Sequence, residues 1–139
     1  VTLPVAAMPD VEQVVVDYLQ PPRLAAGTIV GTEWPSDLLD KLASGIVSVS
    51  LGGGGTRLKA VTADRTIDVD VLAATKKQAR DLVAAVSAQL IAAQGTVQGA
   101  ARIYDVAEVS VVWLPYEPSA ETDPIPRYVL VMSMVVRPA

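Results

Sequence analysis

The stretch 66–95, TIDVDVLAATKKQARDLVAAVSAQLIAAQG, decides how this chain is read. Its opening, Thr66-Ile67-Asp68-Val69-Asp70-Val71-Leu72, alternates apolar and polar residues with a period of two. That period marks a strand with one covered face and one wet face. Ile67, Val69 and Val71 point to the covered side, Asp68 and Asp70 to the other. Thr75-Lys76-Lys77-Gln78 follows with capping-box spacing, in which the Thr hydroxyl and the Gln side chain satisfy free backbone donors. The helix this starts carries Ala79, Leu82, Val83, Val86 and Leu90 on one side, at steps of three and four. Gly95 ends it, because glycine accepts the left-handed geometry of a helix C-terminus cheaply. Together these residues predict a scaffold and carry no visible chemistry.

Upstream, Asp10 is a good helix N-cap, with Val11, Val14, Val15, Tyr18 and Leu19 on one stripe until Pro21-Pro22 ends the element. Thr28-Ile29-Val30 reads as a short strand within an ambiguous segment, 23–34. Pro35-Ser36 looks like a second helix start, with Leu38, Leu39 and Leu42 as its apolar side and Gly45 after its end. Residues 46–51 alternate, placing Val47, Val49 and Leu51 inward and Ser48 and Ser50 outward. Gly52, Gly53, Gly54 and Gly55 then predict a turn or a mobile loop tip, and 57–62 a weaker strand.

Downstream, 96–102 reads as a small-residue connector and 104–114 as a long strand. Ala107, Val109, Val111 and Trp113 share one of its faces, opposite Glu108 and Ser110. The proline-rich, acidic segment 115–126 predicts a loop. The last strand, 127–137, is apolar on both sides, with Tyr128, Leu130, Met132 and Met134 on one and Val129, Val131 and Val135 on the other. A strand of that kind is covered twice, by its own domain or by a neighbouring chain. The order of elements predicts a single α+β domain over 1–139. Its core is a mostly antiparallel sheet of about four to five strands with helices packed on one face.

The composition narrows the function. At 139 residues the chain has room for one core and not for two. Apolar residues make up 51%, yet no run is long and clean enough to cross a bilayer. Val1-Thr2-Leu3-Pro4-Val5-Ala6-Ala7 lacks the basic lead and apolar stretch of a signal peptide, so a soluble, cytoplasmically made protein is expected. With no cysteine there are no disulfides or thiolate metal sites; with no histidine the commonest general base and transition-metal ligand are gone. A formal charge of −4 argues against a duplex-binding surface.

No catalytic motif emerges. A phosphate loop needs a Lys-Ser or Lys-Thr pair opening a helix, whereas Gly55 is followed by the strand-like Thr56-Arg57-Leu58. The glycine run is better read as a flexible hairpin tip, which can also dock against a partner. Asp68 and Asp70 stand ~6.5 Å apart on one strand face, close enough for acid–base work or a hard cation. No third ligand or nucleophile signature joins them, so a solvated acidic face, extended by Glu108, is the better account. Lys76, Lys77 and Arg80 form a solvated edge at a helix N-terminus. Ala84, Ala85 and Ala88, with Ile91 beside them, leave a small-residue flank that another element could approach closely. That flank and the last strand are the candidate subunit contacts: Ala84, Ala88, Ile91, Tyr128, Leu130 and Met132. No serine or threonine sits in a nucleophile-elbow or Ser-x-x-Lys context, and the chain is not expected to be an enzyme.

A capped N-terminal helix, an alternating strand ending in Gly-Gly, the strand–helix unit from Ile67 to Val83 and the final Pro126-Arg127-Tyr128-Val129-Leu130-Val131 strand carry a resemblance. From residue 10 to residue 137 the chain resembles the tail terminator, or tail completion, proteins of long-tailed phages, those of actinobacterial phages most of all. No catalytic signature defines that family. Its members often carry a basic residue before the Gly-Gly pair, where this chain has Leu51 before a longer glycine run. The resemblance implies a virion protein assembled in a host cytoplasm; on the residues themselves no cofactor, metal or membrane contact is expected. It implies a hexameric ring on the finished tail tube that stops polymerisation and joins the head connector, with DNA passing through unbound. An acidic lining would repel the phosphates of such DNA. Asp68, Asp70 and Glu108 are the expected lining, and Gly52, Gly53, Gly54, Gly55 and Arg57, with the 115–126 loop, the expected contact with the tail tube or connector. Two other readings stay open here: a different phage neck subunit such as a head–tail connector, and a small α+β ligand-binding or regulatory domain.

Overall fold

A computed structural model describes residues 7–58 and 61–139, with side chains left undescribed at 56–58. The leader reading of the first six residues falls outside it. The first helix, α1 (Val11–Leu19), starts where Asp10 accepts the Gln13 backbone N–H at 3.3 Å. Strand β1 (Ile29–Gly31) follows, then a single helical turn, α2 (Leu38–Lys41), which tightens into a 3₁₀ turn, Leu42–Ser44. Gly45, at φ 84°, closes that turn and enters β2 (Ile46–Leu58). Next come β3 (Thr62–Leu72), α3 (Lys76–Ala92), β4 (Val97–Gln98), β5 (Ala101–Trp113) and β6 (Arg127–Pro138).

The strand–helix unit that organised the sequence folds as expected. Ile67, Val69 and Val71 are fully buried, as are Ala79, Val86 and Leu90 of α3. The Thr75 hydroxyl accepts from the Gln78 N–H at 3.1 Å. The Gln78 carboxamide oxygen reaches back one residue further than a strict capping box, taking the Ala74 N–H at 3.3 Å, while its amide donates to the Ala43 carbonyl at 2.8 Å. That second bond ties the helix start to the middle of the 3₁₀ turn.

The sheet departs from the expectation in number and in sense. It has six strands in the order β1-β2-β3-β6-β5-β4. β1 runs parallel to β2, and the other pairs are antiparallel, so the α+β sheet is mixed. β1 and β4 are only three and two residues long, too short to leave an alternation in the sequence. Nor do all helices share a face. α1 and α3 bury the main core against Val47, Val49, Ile67, Val69, Leu130 and Met132. The α2 turn lies on the other side, where Leu38 and Leu42 join Trp34 and Tyr116 over Ile46, Leu72 and Ile125. This second cluster also anchors the 115–126 segment through a bridge between Tyr116 and Ile125.

Three further expectations give way. The glycines at 52–55 are no hairpin tip: β2 continues through them, pairing Gly53 with Thr66, Gly54 with Arg65 and Gly55 with Asp64. Glycine is required because the strand bulges after Leu51 and then passes close to its neighbour. A Cβ on Gly54, whose φ is 130°, would run into the Asp64 carbonyl oxygen. Leu51 lies at the end of the covered area and remains 49% exposed, whereas Ser48, expected outward, is buried under the second cluster's end of the sheet. Leu39 faces away from the chain's apolar clusters.

The third concerns β5. Register shifts against β6 fall between Ile103 and Asp105 and between Glu108 and Ser110. The second bulge inverts the alternation: Glu108 pairs with Met132 and Val111 with Leu130, so both point to the helix-covered side. Ser110 and Val112, paired with Val131 and Val129, point to the other.

Candidate functional surfaces

Successive residues of a strand face opposite sides, so the pairings map the face of the sheet that α1 and α3 leave open. One row across it is Ser50, Asp68, Val131 and Ser110, and the next is Ser48, Asp70, Val129 and Val112. In these two rows the face is acidic and hydroxylated along β2 and β3 and, apart from Ser110, apolar along β6 and β5. Asp68 and Asp70 stand side by side on it, as the alternation of β3 requires. The Asp68 carboxylate lies against the backbone of Gly52, where an added Cβ would sit 2.9 Å from Oδ2. Asp70 Oδ2 accepts the Trp34 indole N–H at 3.2 Å, which fastens the second cluster to the acidic row. Trp34 meets Tyr116 edge to face at 4.8 Å, and the Arg127 guanidinium stands 5.6 Å from the Trp34 ring. Polar and aromatic contacts thus brace one end of this face and leave the middle free.

Glu108 is not part of that surface. It lies on the side of α3, where Ser87 Oγ donates to its Oε1 at 2.8 Å. The sequence signal that misplaced it is the unbroken-looking alternation of 104–114, which shows no trace of the extra residue at the bulge.

The candidate subunit contacts separate into two sets. Ala84, Ala88 and Ile91 are exposed along one flank of α3. Leu130 and Met132 are fully buried in the main core and have no surface to offer. Tyr128 is half-buried, packed at 5.0 Å against Trp113, over whose ring the Lys76 ammonium sits at 4.6 Å. The sequence missed this cation–aromatic contact, which forms between elements far apart in the chain. Lys77 is held by Asp81 one turn on, at 2.8 Å. Of the expected tube or connector contact, Gly52, Gly53, Gly54 and Gly55 form an exposed, extended ribbon. Arg57 follows in β2, and its side chain lies outside the described residues.

Among the described residues, no three carboxylates gather as a metal site would require. No helix among them is long and apolar enough to cross a membrane.

No protein-family model matches this sequence, and no curated protein matches it. The fold is similar to that of a chain in a solved structure described as the virion of a native gene transfer agent particle. The TM-score is 0.61 with 19% identity, over 90% of this chain and 92% of that one. At that identity the likeness is one of fold.

Proposed function

We propose that this chain is a structural component of a tailed, phage-type virion, and within it the tail terminator. It closes the finished tail tube as a ring of identical copies, ends tube polymerisation and joins the tube to the head connector, while DNA passes through the middle. The observation that carries this reading is the fold shared with a chain of a gene transfer agent virion over nine-tenths of both chains. The sequence resemblance to tail terminators, reached from different evidence, points the same way.

The surfaces fit a protein that works by shape. Its flank on α3 is exposed and made of small residues, and one face of its sheet is open and graded from acidic to apolar. In this reading Asp68 and Asp70 contribute to a lining that repels phosphates, and the chain turns over no substrate. The 115–126 segment meets the tube or the connector.

Negative-stain imaging of particles made with and without the chain tests this. Without it, tails are expected to vary in length and to lack joined heads, and a tagged copy is expected at the head-proximal end of the tail. Tails of normal length joined to heads in its absence would overturn the reading. A tag at the portal side of the neck would reassign the chain to the head–tail connector.

A further inference from the structure

Neither outer strand of the sheet covers the edge at which it stands. β1 pairs with Ile46, Val47 and Ser48 of β2 and no further. Among the described residues, 52–58 of β2 therefore have β3 on one side and no strand on the other. At the opposite edge β4 pairs only with Ala101 and Arg102, and Ile103 exchanges backbone hydrogen bonds with Gly95 and Thr96, which among the described residues leaves 104–113 of β5 with β6 as its one strand neighbour. Part of each edge is used within the chain. The Leu51 N–H donates to Glu12 Oε1 at 2.7 Å, and the Val106 N–H to Gln94 Oε1 at 3.1 Å. The backbone beyond those two points, 52–58 and 107–113, is open for a further strand.

Soluble proteins guard long edges with lysine, proline, inward charges or bulges. Within 103–113 there is no lysine and no proline; the two bulges and the inward Glu108 guard the part up to Val109, and past them the ladder with β6 is regular from Ser110 to Trp113. Val109, Val112 and Leu114 are 61%, 49% and 49% exposed along it. The Leu114 N–H bonds to Arg127 of β6, so by alternation the N–H groups of Val111 and Trp113 point outward. The other edge is its counterpart. Four glycines present bare backbone there, and a Cβ on Gly53 or Gly55 would meet nothing.

From this pairing of opposite edges we infer that the glycine edge of β2 in one copy adds to the open edge of β5 in the next, running the sheet from subunit to subunit. Main-chain hydrogen bonds hold such a joint and the apolar β5 side chains cover it. Because the two edges differ, the contact is head-to-tail, the kind that generates rings when the rotation closes. The inference rests on the ring reading above and names the surfaces that form the ring.

The natural chain has no cysteine, so introduced thiols report without background. Full-length Gly55→Cys is mixed with full-length chains carrying a thiol at Val109, Val111, Val112 or Trp113, each partner bearing a tag of different mass. Oxidation is carried out on the concentrated protein and on particles containing it. The expected result is a disulfide joining the β2 thiol to the β5 thiol at one or more of these positions, since adjacent strands bring Cα atoms within the ~4.4–6.8 Å that a disulfide needs. No mixed disulfide in either sample, or disulfides only between like variants, overturns the inference. A second variant, Val111→Pro, removes an outward N–H and leaves the β6 ladder intact. It is expected to weaken assembly about tenfold while the thermal unfolding of the monomer stays near that of the parent. Unchanged assembly in that variant also overturns the inference. Imaging keeps the two proposals apart: a chain located at the tail end that forms no mixed disulfide retains its function and loses this joint, and a mixed disulfide in a chain absent from tails does the reverse.

Discussion

At the scale of single residues, the glycine run separates into positions that must be glycine and positions that need not be. Gly54 combines a φ of 130° with the close approach of the Asp64 carbonyl, whereas Gly55 has no positive φ and open space where a Cβ would stand. Gly54→Ala is therefore expected to cost about 2 kcal/mol or more in urea unfolding, and Gly55→Ala to fall within about 0.5 kcal/mol of the parent. Equal effects at the two positions would show that β2 does not follow this path. A second residue-level expectation concerns acid. The hydrogen bond and charge of Lys77 hold the Asp81 carboxyl below the usual carboxylate range. A depressed folded-state pKa stabilises above the unfolded value and loses that contribution as pH falls through the folded one. Both side chains are solvent-exposed, so the effect is small. Asp81→Asn should lower the melting temperature slightly at neutral pH, and the gap to the parent should close in acid. A gap that widens in acid would contradict the pairing. Residue-level features of this kind were unevenly legible in the sequence. Asp10 and Thr75 announced themselves as caps because capping is local chemistry. The turn of Glu108 toward Ser87 comes from a bulge, which registers only against a partner strand.

At the scale of elements, β6 shows what period-two reading can and cannot supply. The sequence placed Leu130 and Met132 on one face and Val129 and Val131 on the other, and the structure agrees. What alternation left open was which face meets the helices, and hence which residues a partner could touch. β6 lies between β3 and β5, so Leu130 sits at the centre of the main core, fully buried, while Val129 is half-buried on the open face. Leu130→Ala should then cost about 2–5 kcal/mol through a cavity that its neighbours cannot close. Val129→Ala should cost no more than about 1 kcal/mol in the same chemical denaturation series. Comparable losses would mean that the second face is also covered in the isolated chain. The same reasoning explains why 52–55 were read as a tip. Glycine carries no side chain to alternate, so a strand made of it has no pattern to detect, and its pairing to β3 appears only once the two strands are laid together. The α3 unit was legible throughout because its cap, apolar stripe and terminator all lie within thirty consecutive residues of sequence.

For the whole molecule, the question is what a sheet with one helix-covered face, one graded face and two open edges is built to meet. The acidic row of Asp68 and Asp70 runs along β3, inboard of the glycine edge, on the face away from α1 and α3. If copies join edge to edge, that row recurs around the ring at the same height and its charges add where DNA would pass. Fixed charges of one sign lining a narrow channel act on a polyanion more strongly than the same charges scattered on a surface. Asp68→Lys with Asp70→Lys moves each copy by four charge units toward positive, from two acids to two bases. The Asp70→Lys change also removes the acceptor of the Trp34 indole, so Asp70→Asn, which keeps an acceptor, serves as the folding control. Particles carrying the lysine pair should assemble with tails of normal length and eject DNA more slowly, with the delay easing as salt rises and screens the attraction. The asparagine control should eject at nearly the parental rate. Normal ejection by the lysine particles would remove these aspartates from the channel and leave the rest of the assembly argument standing. A salt-independent delay would trace the defect to assembly and count against an electrostatic lining.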